Sequence, residues 1–183
     1  MLNFFGISNK EKISCQDTSK IFSVALNKVI DDGFLEIKEF LNNNNNLEKS
    51  PNISSEDIKY FRLIIFSTNL YIISTKFDTA ESLKLRNCVL DHLLPTVDKD
   101  KELAMDVFLQ YETYYNDIIK TQIDPIESAA VSIFKKFKIN ECQSLLLQRK
   151  NEPNPVLFSE LKNLLDHFVW NWDEFLDKCK IKF

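Results

Sequence analysis

Two histidines, His92 and His167, are the only side chains here whose ordinary pKa lies near neutrality, so acid–base chemistry at pH 7 would fall first to them. His92 follows Cys88 by one helical turn, which is half of a metal site. Structural zinc takes four ligands, and the remaining cysteines, Cys15, Cys142 and Cys179, form no CxxC and no second Cys/His pair. No Glu-x-x-His supplies a di-iron bundle either, so no metal is expected and Cys88 reads as a buried thiol. His167, between Asp166 and Phe168, has no nucleophile beside it and reads as a hydrogen-bonded surface histidine. With Gly6 and Gly33 as the only glycines, no phosphate loop, dinucleotide fingerprint or Gly-flanked serine elbow can be assembled. No cofactor is expected.

One stretch does carry a catalytic pattern. In "RNCVLDH", Arg86 and Asn87 are followed by four residues and then His92. This resembles the Arg–polar–x–His signature of HEPN-type RNases, small helical proteins common in bacterial toxin and defence systems. The resemblance covers seven residues and the helical class. It implies metal-independent RNA cleavage at a dimer interface, with Arg86 on phosphate, His92 handling the 2′-hydroxyl proton and Asn87 orienting them. In that family the motif lies near a late helix; here four helical segments follow it. On a straight helix Arg86 and His92 stand about 120° apart and about 9 Å along the axis, on different faces.

Binding chemistry offers a second candidate. In "HFVWNWDEFLDKC" (167–179), Trp170 and Trp172 are the only tryptophans. Leu157, Phe158, Leu161, Leu164, Leu165, Phe168, Val169, Trp172, Phe175, Leu176 and Cys179 fall within an arc of about 140° on a helical wheel. One helix is therefore expected from about 156 to 180, with Trp172 in its core stripe. Trp170 then lies on the opposite side among Asp166, Asp173, Glu174 and Asp177, at spacings of three, four and seven. An outward tryptophan ringed by carboxylates fits a protein interface with a basic partner. The bland reading is cover by the chain itself, with "MLNFFGI" as the nearest lid. A third stretch, "IFKKFKI" (133–139), interleaves Lys135, Lys136 and Lys138 with Phe134 and Phe137. The pattern suits phosphate or anionic lipid, but a helix C-terminus also favours cations, and that explanation is preferred.

The elements that must position these residues are helical throughout. The chain has 183 residues, 44% hydrophobic and 27% charged, enough for one domain with a real core. Net charge is −4, so no global field draws in nucleic acid. "MLNFFGISNKEK" has no basic start and too short an apolar run for a secretory leader, so free thiols and a cytoplasmic location are expected. A helix starting at Asp17 or Thr18 is expected to stop at Gly33, with a short one over 34–41. The Asn-rich stretch 42–57 is expected to be mobile. The apolar segment 60–77 carries Arg62, Lys76 and a polar interruption from Ser67 to Asn69. It reads as the central helix of a bundle, not a membrane span. Capping patterns at Asp78/Glu81 and Asp124-Pro125-x-Glu127 start two more helices around one at 98–120, where Phe108, Tyr111 and Tyr115 face the core and Tyr114 flanks them. A Pro-containing connection (149–155) precedes the last helix.

The expected fold is an all-α, single-domain bundle of six to eight helices over 1–183. The function expected first is non-enzymatic: an acidic cytoplasmic adaptor, inhibitor or immunity-type protein that binds a protein partner through the Trp170 face. The alternative is the HEPN-like RNase of Arg86, Asn87 and His92. A homodimer is compatible with both.

Overall fold

The structure, a computed structural model, describes residues 10–122 and 124–183. Among these the chain is an all-α bundle of eight α-helices with one two-stranded sheet. Strand β1 (Glu11–Ser14) leads into α1 (Cys15–Asn42), whose N-cap Ser14 accepts from the amide of Asp17 at 3.0 Å. Helix α2 (Ile58–Lys76) follows, then α3 (Thr79–Leu93), α4 (Lys101–Gln122) and α5 (Pro125–Lys136). Next come α6 (Leu145–Lys150), α7 (Pro155–Asp166), α8 (Trp172–Lys178) and β2 (Cys179–Lys182).

Helix α2 runs through the middle, packed against α1, α3, α4 and α5. Its Phe61, Ile64, Ile65, Phe66 and Leu70 are buried, so it is the core helix its apolar run predicts. The polar interruption stays inside because Ser67 and Thr68 bond back to the carbonyls of Leu63 and Ile64, both at 2.9 Å. Arg62 leaves the core sideways, donating to Asn27 and Asp31 on α1, each at 2.5 Å. No described helix is long and apolar enough to cross a membrane.

Three expectations change. Gly33 does not end a helix: α1 runs through it to Asn42, because a helix tolerates glycine and the missing side chain makes room for a ring. A Cβ there would lie 2.7 Å from Phe168 Cζ. Gly33→Ala should therefore lower the urea midpoint: crowding a packed ring costs about 1–3 kcal/mol, against about 1 kcal/mol gained in helix propensity. Adding Phe168→Leu should restore much of the loss; a Gly33→Ala variant as stable as the parent would rule out the seating of that ring.

Secondly, the Asn-rich stretch, expected to have nothing to bury, makes contacts with the bundle. The Asn42 side chain donates to the Ile53 carbonyl and accepts from the Ile53 amide, both at 2.8 Å. The Glu48 amide bonds the Cys142 carbonyl at 2.8 Å, and Ile53 and Leu47 pack against the core. Asparagines bury little themselves, but they supply the polar partners that let two apolar residues anchor the segment.

Thirdly, the helix expected from 156 to 180 is broken. Helix α7 ends at Asp166, residues 167–171 turn, and α8 begins at Trp172 and gives way to β2. Strand β2 pairs in parallel with β1, Ile13 opposite Ile181, so the two ends of the described chain meet. Glu127, expected to close a capping box, instead pairs with Lys162 on α7 at 3.0 Å, while Asp124 caps the Glu127 amide at 2.7 Å.

Candidate functional site

The turn at 167–171 is set by a residue on another helix. Asn69 of α2, fully buried, donates to the Phe168 carbonyl at 2.9 Å and the Ile65 carbonyl at 3.0 Å. Its side-chain oxygen accepts from the Trp170 amide at 2.9 Å. The amide therefore supplies both a donor and an acceptor to a backbone leaving helical geometry, which an apolar side chain cannot do. Phe168 plugs the turn into the bundle, its ring edge-on to Phe61 with centroids 5.0 Å apart. Asn171 then restarts the helix by capping the Glu174 amide at 3.0 Å.

The break alters the relation of the two tryptophans. Expected on nearly opposite helix faces, they meet, with ring centroids 6.2 Å apart. Phe22 of α1 lies against both, edge-on to Trp170 at 5.6 Å and stacked on Trp172 at 5.4 Å. Phe175 closes the cluster. Trp172 is buried, as its stripe predicts. Trp170 is half-buried and stands beside a recess of about 270 Å³, shared with Asn171, Glu174, Phe175 and Lys178. The suggested lid, "MLNFFGI", lies outside the described residues.

The carboxylates expected around Trp170 are unequal. Asp173 is paired with Lys76, and Glu174 with Lys178 at 2.6 Å. The Lys178 ammonium, hydrogen-bonded to it, holds the Glu174 carboxyl below its usual pKa. Asp166 and Asp177 are exposed and have no cationic partner among the described residues.

Arg86, Asn87 and His92 all lie on α3 but turn to different neighbours. Arg86 binds both oxygens of Glu112 on α4, at 2.7 and 3.0 Å, and Asn87 is exposed. His92, half-buried, lines a groove with Lys20, Ser23 and Asn27 of α1, Arg62 of α2 and Thr96. Within this chain Arg86 and His92 are not brought to one groove; Arg62, bonded to Asn27 and Asp31, lines the groove that holds His92. The Ser23 hydroxyl there is buried and has no partner among the described residues.

The Cys88 sulfur lies 3.7 Å from that of Cys15, both buried. Burial, with the Cys88 hydrogen bond, pushes the Cys15 thiol up to about 11, which makes it inert as a nucleophile at neutral pH. His167 is exposed, beside Glu160 and the Asn-rich segment. No cluster of three or more metal-binding side chains occurs among the described residues.

No family model matches this chain, and no curated protein or solved structure matches it.

Proposed function

We propose that the protein acts without catalysis, by binding a protein partner through the surface around Trp170, as a cytoplasmic adaptor, inhibitor or immunity-type protein does. The observation that carries this reading is the mounting of Trp170. Its backbone is fixed by Asn69 and its ring is backed by Phe22, Trp172 and Phe175 with its indole nitrogen buried, yet part of it remains exposed beside a recess. A large aromatic held rigid before binding loses little freedom on binding, the condition under which interface anchors are strongest. Glu174 and Lys178, paired with each other, line the recess beside it, so polar contacts at its rim would accompany the ring.

Tagged wild type and Trp170→Ala used as baits test this. The partner retained by wild type, purified and titrated by calorimetry, is expected to bind Trp170→Ala roughly 30-fold more weakly, the scale of a tryptophan hot spot. The half-buried ring should cost the fold only about 1–2 kcal/mol, less than a fully buried aromatic. Equal affinity of the two baits would reject the reading.

A second reading, the HEPN-like RNase, is favoured by one observation: the groove that His92 lines holds three cations, Lys20, Lys28 and Arg62, of which Lys20 alone has no carboxylate partner among the described residues. Cleavage of RNA by wild type and its loss in His92→Ala would establish it; equal inactivity of the two would remove it.

A further inference from the structure

The lysines of "IFKKFKI" are not disposed as a helix C-terminus alone requires. Lys136 closes α5, yet its ammonium makes no hydrogen bond to the last carbonyls of that helix among the described residues. It turns to two tyrosines, 3.9 Å from the ring centroid of Tyr60 and 5.3 Å from that of Tyr111. Lys59 approaches the Tyr60 ring as well, at 5.0 Å. The two rings are near-parallel, 14° apart, with centroids separated by 6.3 Å. Tyr114 stands edge-on to Tyr111, its hydroxyl donating to the Ser132 carbonyl at 3.3 Å.

Gln110, Tyr111, Tyr114, Lys135 and Lys136 line one recess of about 490 Å³ between α4 and α5. Of the 23 basic side chains, eight have a carboxylate within ion-pair distance among the described residues. Lys59, Lys135 and Lys136 have none within ion-pair distance among the described residues, whereas Arg62, Lys76, Arg86 and Lys162 on the same bundle do. Positive charge is therefore gathered beside aromatic faces and left uncompensated. An anion satisfies the ammonium groups, a flat ring satisfies the tyrosine, and the Gln110 amide offers a donor and an acceptor to a ring edge. A recess of this size is within the range of small-ligand sites.

We propose that this recess binds a nucleotide unit, the base stacked on Tyr111 and the phosphate held by Lys135 and Lys136. The same chemistry comes either as a free nucleotide or as one residue of a single strand. This site is separate from the Trp170 surface and does not rest on it.

The test is fluorescence anisotropy of the full chain with a fluorescein-labelled decauridylate, in competition with unlabelled uridine and adenosine monophosphates. Wild type should bind, with affinity falling as salt rises in proportion to the phosphates contacted. Tyr111→Leu should weaken binding about 10- to 100-fold, the scale of one stacked base, while Tyr111→Phe keeps it. Lys135→Glu should weaken it at least about tenfold and flatten the salt dependence. Lys135 is exposed, so that variant reports on binding even if changes at Tyr111 disturb the fold. Competition by the monophosphates at concentrations near the oligonucleotide's own would assign a free nucleotide; binding of the oligonucleotide alone would assign a strand. No binding of either at millimolar concentration, or binding unchanged in Lys135→Glu, would overturn the proposal. So would binding that Tyr111→Leu leaves intact, since that is attraction of any polyanion.

Discussion

Asn69→Leu is expected to destabilise the fold by about 3–5 kcal/mol, although leucine has nearly the shape of asparagine and a better affinity for a buried site. Asn69 is fully buried, and its amide serves three backbone groups: the carbonyls of Ile65 and Phe168 and the amide of Trp170. The Ile65 carbonyl is on a continuous helix and has the helical ladder as a second partner. The Phe168 carbonyl and the Trp170 amide sit in the turn between α7 and α8, and leucine would strand both. Each buried polar group left unpaired costs about 1–3 kcal/mol, more than leucine recovers from water. Thermal unfolding checks this: for a chain of this size the loss corresponds to a fall in Tm on the order of 10 °C. The same variant should also release Trp170 from its backbone anchor. A leucine variant melting with the parent would mean that the turn holds itself.

The second large effect is expected at Phe22. It is fully buried on α1, and it is the ring on which Trp170 and Trp172 both rest. Truncation to alanine loses the apolar transfer energy and leaves a void that two indoles cannot fill without tilting, about 3–5 kcal/mol in total. The paired rings add about 0.5–1.5 kcal/mol each beyond area. Phe22→Leu, which keeps most of the volume, should recover well over half of the loss in a urea titration while the near-ultraviolet circular dichroism of the tryptophans still falls. Near-parental stability of Phe22→Ala would show that the cluster is loosely packed.

These two residues mark what was and was not legible in the chain. Local devices announced themselves: Asp78 and Asp124 cap the helices their spacing predicts, and the apolar run of α2 is the buried centre. The break in the last helix was hidden because the apolar stripe continues at helical spacing straight through it. Phe168 and Trp172 are buried as that stripe requires, and a wheel cannot distinguish a helix from two helices and a turn that bury the same residues. The cause lies about a hundred positions away, at Asn69. One local signal did exist: Asn171-Trp172-Asp173-Glu174 is itself an N-cap pattern, and Asn171 caps Glu174 as that pattern prescribes. Gly33 misled for a related reason. A glycine marks either a stop or a close approach, and only the fold brings Phe168 to it. The β1–β2 pair was invisible because parallel pairing of four-residue ends depends on the bundle bringing them together.

At the candidate sites the types of residue were legible and their grouping was not. Trp170 is half-buried on a turn and beside Trp172, and two of the four carboxylates expected around it are already paired. Arg86 and His92 are divided between two faces of α3, as the angle between them on a straight helix requires.

The claim that Trp170 is an anchored but accessible side chain is tested most directly by tryptophan fluorescence of Trp172→Phe, which leaves Trp170 as the only emitter. The expected result is emission between the buried and free limits, partly quenched by iodide, and shifted to the red when Asn69→Leu is added. Blue emission that iodide does not reach would contradict it and remove the reason for proposing a binding surface there.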